Sequence, residues 1–284
     1  MEWYAAYLIL GAVAGFLAGI FGVGGGLVLV PVLVFLFDSQ HFSAEHVLLL
    51  ALGTSMAAIM FTSLASLREH HRYSAVNWRV VRNITPGILL GTGIGALLAA
   101  SIPTHGLAIF FALFVYSVAA QILLNMRPHA SRQLPGAAGM TLTGILTGGL
   151  GSMVSIGGGS IIVPFLVWCN IPLRSAIGTS AAIGFPVAIG GTIGYVATGL
   201  GTHALPALSL GFVYLPALFW VALGSIITAP LGAKATHSMQ VGALRKLFAI
   251  LLIALASKML WHELPWHTQP GPGATSTPSR LSRQ

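Results

Sequence analysis

Two stretches of this chain repeat one pattern without a gap. Gly11–Phe37 reads GAVAGFLAGIFGVGGGLVLVPVLVFLF, and Gly144–Trp168 reads GILTGGLGSMVSIGGGSIIVPFLVW. Gly11, Gly15, Gly24, Gly25, Gly26 and Pro31 of the first fall on Gly144, Gly148, Gly157, Gly158, Gly159 and Pro164 of the second. Both stretches are uncharged and longer than the roughly 20 residues of one straight bilayer span. Three successive glycines, the poorest helix formers after proline, interrupt each of them midway. A paired, glycine-broken apolar segment at matching places in two halves points to the binding site of a membrane transporter.

Only 6% of the 284 residues are charged and 56% are hydrophobic, against roughly 25% charged in ordinary soluble domains. So few charges do not cover the surface of a soluble protein of this length. Apolar segments at 4–37, 46–67, 80–101, 105–126, 136–168, 175–199, 207–232 and 242–261 predict an all-α, polytopic membrane protein of about eight segments. These form two repeats, each opening with a glycine-broken helix. The first repeat is expected over 1–128 and the second over 129–262, with a disordered polar tail over 263–284. The net charge of +8 comes from bases dispersed among loops. They read as topology determinants or lipid contacts rather than a nucleic-acid footprint. Cys169 is the single cysteine, which excludes an internal disulfide and a cysteine-based zinc site.

The duplication continues past the glycines. Gly53-Thr54-Ser55 matches Gly178-Thr179-Ser180, Gly95-Ala96 matches Gly232-Ala233, and Leu107 with Phe111 matches Leu244 with Phe248. If each long segment crosses the membrane once, the two halves lie parallel. If each doubles back as a hairpin, they are inverted. The loop charges give a positive-inside bias under both arrangements.

Within each break the freed backbone needs partners. A helix restarting after it presents unpaired N–H groups and a positive dipole end, which together favour an anion. Pro31 and Pro164 are expected near the first turn of the restarted helices, where a missing N–H does least harm. The predicted substrate-binding residues are therefore Gly24, Gly25, Gly26, Gly157, Gly158 and Gly159. The hydroxyls of Thr54, Ser55, Thr179 and Ser180 join them, with Ser160 beside the second glycine run. The flanking series Gly11/Gly15/Gly19 and Gly87/Gly91/Gly95 read as faces for close helix packing.

The glycine runs are not nucleotide loops, since no Lys-Ser or Lys-Thr follows either and the final glycine of a dinucleotide fingerprint is missing. Glu2, Asp38, Glu45, Glu69 and Glu263 all fall in loops or at segment ends. No buried carboxylate relay is expected, and an anion would meet no fixed negative charge. The ten histidines read as solvated loop residues without metal-site spacing, and Arg174 as a topology or lipid contact. No catalytic dyad, metal site or cofactor is called for, so the chain reads as a transporter and not an enzyme. Its partners would be a small anion, with or without a coupling ion, and the lipid bilayer. Low charge and the glycine faces are compatible with a homodimer.

The paired G-x-x-x-G-x-x-x-x-x-x-x-x-G-G-G-x-x-x-x-P segments, each followed by Gly-Thr-Ser, resemble the sulfite exporter TauE/SafE family of permeases. The resemblance runs from about residue 4 to 262 and includes the polar connection His71–Trp78, where Asn77 replaces an acidic residue common in relatives. It implies a multi-pass carrier of the bacterial inner membrane. The function it implies is export of sulfite, sulfoacetate or another organosulfonate by alternating access, with an anion channel for the same substrates as the alternative.

Overall fold

The computed structural model describes residues 2–124, 131–203, 205–238 and 242–263. The first glycine-broken segment divides into α1 (Glu2–Phe21) and α2 (Gly26–Ser39), followed by α3 (Val47–Arg72), α4 (Trp78–Ser101) and α5 (Thr104–Leu123). The second divides into α6 (Ala137–Met153) and α7 (Gly159–Trp168). It is followed by α8 (Leu173–Gly199), α9 (Leu215–Ser238) and α10 (Gly242–Glu263). One antiparallel pair of two-residue strands, β1 (Ser209–Leu210) and β2 (Val213–Tyr214), precedes α9. Residues 264–284, the predicted tail, lie outside the described residues.

Six of the described helices are long and apolar enough to cross a membrane: α1, α3, α4, α5, α8 and α9. The count falls short of the eight apolar segments because the second glycine break splits its segment into helices of 17 and 10 residues. In addition, α10 carries Arg245, Lys246 and Lys258. Leu97, Leu113, Ile193 and Phe219, on the outer faces of four helices, are each more than 60% exposed. A contiguous apolar exterior of this kind is the face a bilayer covers.

Each broken segment is a hairpin whose two ends lie together. Gln40, just after α2, donates a side-chain hydrogen bond to the Tyr7 hydroxyl near the start of α1. In the second half the amides of Ser131 and Arg132, before α6, donate to the Trp168 carbonyl at the end of α7, at 3.3 and 3.2 Å. The Arg132 guanidinium also lies over the Trp168 ring, 5.1 Å from its centroid.

The hairpins are exchanged between the halves. α1 runs parallel to α9, and α6 runs parallel to α4. A Cβ at Gly11 or Gly19 would collide with the Val221 or Ala229 carbonyl, and one at Gly87 or Gly91 with the Thr141 or Ile145 carbonyl. Glycine lets these backbones touch, and hydroxyls then hydrogen-bond across the seams: Thr228 to the Ala12 carbonyl at 2.7 Å and Ser152 to the Thr92 carbonyl at 3.1 Å. At the centre α3 and α8 cross antiparallel, with Met56 against Gly191 and Ser63 against Gly184. They are the most buried of the six spanning helices, at 83% and 67% of their apolar windows. The contacts are reciprocal: Gly53 packs on Phe212, and its counterpart Gly178 packs on Ala75, the counterpart of Phe212.

Two expectations need correction. Pro31 and Pro164 sit inside α2 and α7, in the second turn rather than the first. Each therefore removes the amide that the carbonyl four residues earlier, on Leu27 or Ser160, would otherwise accept from. His70 is not a solvated loop residue: it lies in α3, fully buried, with Nε2 3.3 Å from the Gly19 carbonyl oxygen. Among the described residues no group of three metal-ligating side chains gathers.

Candidate functional site

The two glycine breaks meet. Gly25 and Gly158 are the N-caps of α2 and α7, with φ of 84° and 85°, a left-handed conformation that glycine adopts without steric cost. Between the breaks the Gly157 amide donates to the Val23 carbonyl at 3.1 Å. Gly24 faces Gly157 so closely that a Cβ on Gly24 would lie 3.1 Å from the Gly157 Cα. A Cβ on Gly26 would collide with the Ser155 carbonyl, and one on Gly159 with the Gly22 carbonyl. The first residue of each restarted helix is thus pressed against the other half's break.

The duplicated hydroxyls fasten this arrangement. Thr54 Oγ1 accepts from the Tyr214 amide and Thr179 Oγ1 from the Asn77 amide, both at 2.9 Å. Asn77 and Tyr214 stand at the same place in the two halves, immediately before α4 and α9. Asn77 also caps α4, its Oδ1 accepting from the Val80 amide at 3.3 Å, a task asparagine performs as well as aspartate. Ser180 Oγ donates to the Gly22 carbonyl at 3.0 Å, and Ser155 Oγ to the Leu52 carbonyl at 3.1 Å. Ser55 Oγ is buried without a hydrogen-bond partner. Thr54→Val or Thr179→Val is expected to cost about 1–2 kcal/mol by orphaning one amide. Transport by the surviving folded protein should stay within about twofold, and a thermal melt beside a flux assay separates the two effects. Loss of flux at unchanged stability would return these hydroxyls to the substrate path.

The starts of α2 and α7 differ in what lies in front of them. At α2 the site is closed, with Gly26 and Leu27 fully packed and the small pocket beside Gly22 and Gly24 too tight for a water. At α7, Gly159 and Ser160 open onto a cavity of about 270 Å³. Its walls come from the end of α1, the last turns of α5 and the first turns of α8 and α10. Most of its lining is apolar, including Phe21, Val118, Val163 and Phe248. Among the described residues its polar groups are Gln121 of α5, Ser160 of α7 and Arg245 of α10, and no acidic residue lines it. Ser160 Oγ is buried without a hydrogen-bond partner, and the first amides of α7 have no intrahelical acceptor. One guanidinium, one hydroxyl, one amide side chain and a helix N-terminus, set among apolar walls, are groups chemically suited to a small anion that carries an apolar body.

Of the residues expected to bind substrate, the structure brings Gly159 and Ser160 to the cavity. Gly24, Gly26, Gly157 and Gly159 form the contact between the breaks, Gly25 and Gly158 cap the restarted helices within their own halves, and Thr54, Thr179 and Ser180 brace the arrangement. Gln121 and Arg245 were not singled out by sequence reasoning, which weighed Arg174 instead; Arg174 is exposed at the start of α8 and does not line the cavity. A signal was available. Arg245 and Lys246 lie in the first turn of α10, where the helix dipole opposes cations, so helix stability does not account for them.

The family described as sulfite exporter TauE/SafE matches residues 7–259. A probable membrane transporter protein of Haemophilus influenzae is 38% identical over 254 residues, covering 89% of this chain and 96% of that protein. A probable membrane transporter protein of Methanocaldococcus jannaschii is 27% identical, covering 89% of this chain and 94% of its own length. Another, from Bacillus subtilis, is 24% identical over 91% of this chain and 97% of its own. No solved structure matches the chain.

Proposed function

Because the chain belongs to the sulfite exporter TauE/SafE family of membrane transporters, we propose that it exports a small anion by alternating access: sulfite, sulfoacetate or another organosulfonate. The observation that supports this reading is the cavity at the start of α7, which Arg245, Ser160 and Gln121 line and no acidic residue lines among the described residues. The site is reached from one end of the molecule and shut at the glycine contact, the asymmetry a carrier requires and an open channel lacks.

The halves, residues 1–128 and 129–262, act as inverted repeats on this reading, each a re-entrant hairpin followed by three crossings. Arg68, Arg72, Arg79, Arg82, Arg132 and Arg174 then gather at the end where the cavity opens. Lys258 lies at the other end with Asp38 and Glu45. By the positive-inside rule the cavity faces the cytoplasm of a bacterial cell, across the inner membrane, which is where an exporter loads. The glycine faces that were compatible with a homodimer are occupied within one chain and supply no argument for one. A coupling ion is not needed for outward movement, since the interior-negative potential already expels an anion.

Purified protein in liposomes should accumulate labelled sulfite, sulfoacetate or taurine saturably, and against a gradient when a potential is imposed. Ser160→Leu is the discriminating variant, because the first half carries Leu27 at the same place and packs it without difficulty. The variant should fold, fill the cavity and lose at least about 90% of the flux. Full flux from folded Ser160→Leu would remove the site, and flux of every anion without saturation would favour a channel.

A further inference from the structure

The repeat pairs every wall of the cavity with a position in the other half. Through the glycine runs, Ser160 and Val163 of α7 pair with Leu27 and Val30 of α2. Through the Gly-Thr-Ser triplets, Leu173 and Ile177 of α8 pair with Leu48 and Leu52 of α3. Through the Leu107/Phe111 and Leu244/Phe248 match, Arg245 and Phe248 of α10 pair with Ala108 and Phe111 of α5. The same register pairs Gln121 of α5 with Lys258 of α10. In the first half these counterparts enclose no such cavity: Leu27, Val30, Leu48, Leu52, Ala108 and Phe111 are each at most 1% exposed. One fold thus holds the same set of walls in two arrangements, open around α7 and shut around α2.

We infer that the chain opens a second anion cavity at the opposite end, walled by α2, α3, α5 and α10, in which Lys258 takes the part that Arg245 takes here. This rests on the reading of the chain as an anion carrier. If the two halves exchange arrangements, the walls around α7 close as those around α2 part, and the counterparts of the present lining become the new lining. Ala108 brings no charge to replace Arg245, and Leu27 brings no hydroxyl to replace Ser160. Lys258 is the cation the exchange delivers. Its Nζ now lies over the Phe35 ring of α2, 3.8 Å from the centroid. That contact holds the charge at the rim of the closed site, and a cation on an exposed ring is held weakly. α10 then carries a positive charge for each end of the path, Arg245 and Lys258, thirteen residues or roughly 20 Å apart along one helix. The second cavity would be more apolar than the first and lack the Ser160 hydroxyl, so it holds the anion less tightly, as a releasing face should.

The test uses single cysteines in a Cys169→Ser background and a membrane-impermeant trimethylammonium thiosulfonate reagent applied to either face of oriented vesicles. Val163→Cys should react from one face. Val30→Cys and Ala108→Cys, buried in this structure, should react from the opposite face, and Lys258→Gln should cut sulfoacetate flux about tenfold while Lys258→Arg restores it. Labelling of Val163→Cys alone, with neither Val30→Cys nor Ala108→Cys reacting from the far face, overturns the second cavity. Far-face labelling with unchanged flux in Lys258→Gln overturns the part given to Lys258. Absence of flux from the unsubstituted protein, with both faces labelling, would instead count against the sulfonate reading and leave the second cavity standing.

Discussion

A single methyl group at Gly26 or Gly159 is expected to remove most of the folded protein. The Cβ of Gly26→Ala would land on the Ser155 carbonyl, and that of Gly159→Ala on the Gly22 carbonyl and the Val23 Cα. These are backbone atoms of the opposite break, fixed by the Ser155 and Ser180 hydroxyl bonds and by the Gly157–Val23 hydrogen bond. No side chain can swing aside, so the halves must separate, at a cost of about 4 kcal/mol or more, the exceptional end of single substitutions. The neighbouring glycines should respond in a graded way. Gly158→Ala meets the Thr147 Cγ2 methyl at a tight 3.3 Å, which a small side-chain shift relieves, and suffers chiefly left-handed backbone strain, about 1–2 kcal/mol. Gly25→Ala carries the same strain and in addition approaches the Ala14 carbonyl oxygen at 2.9 Å. Gly157→Ala, with no positive φ and nothing nearer than 3.3 Å, should lose less than about 1 kcal/mol. Thermal stability in detergent across these five variants checks the order. Larger losses at the left-handed positions Gly25 and Gly158 than at Gly26 and Gly159 would mean that backbone conformation, not contact between the breaks, governs the site.

Arg245→Gln is expected to produce the largest loss of transport among variants that fold. Arg245 supplies the positive charge of the cavity, between apolar walls that weaken solvent screening. Hydrogen bonds to a charged group contribute about 1.5–3 kcal/mol, so the KM for the transported anion should rise by roughly 10- to 100-fold. Arg245→Lys keeps the charge but loses the planar fork that engages two anion oxygens, and should recover part of that affinity. An unchanged KM in Arg245→Gln would move the anion site away from this cavity.

Much of the helix plan was written locally. The triple glycines mark the restarts at Gly26 and Gly159 because no other residue occupies the left-handed cap at Gly25 and Gly158 so readily. The small-residue series at Gly11/Gly15/Gly19 and Gly87/Gly91/Gly95 announced close packing, since a missing side chain is a property of the residue itself. The prolines were placed one turn too early because glycine permits a cap anywhere in the run, and only its contacts choose the last glycine as the first helical residue.

Sequence alone determined that the chain is all-α, enters the membrane repeatedly and carries two glycine-broken segments, for these follow from composition, period and backbone freedom within short windows; that the segments double back as hairpins was decided by contacts between their distant ends. Tertiary structure decided that the hairpins are exchanged between the halves and that their breaks press on each other. It also decided which hydroxyls fasten backbone and which face a cavity. Thr54 and Ser160 are alike as isolated residues. The first meets an amide 160 positions away in the chain, while the second is left without a partner in the wall of a cavity that Arg245 also lines, and proximity of that kind is set by packing rather than by local preference.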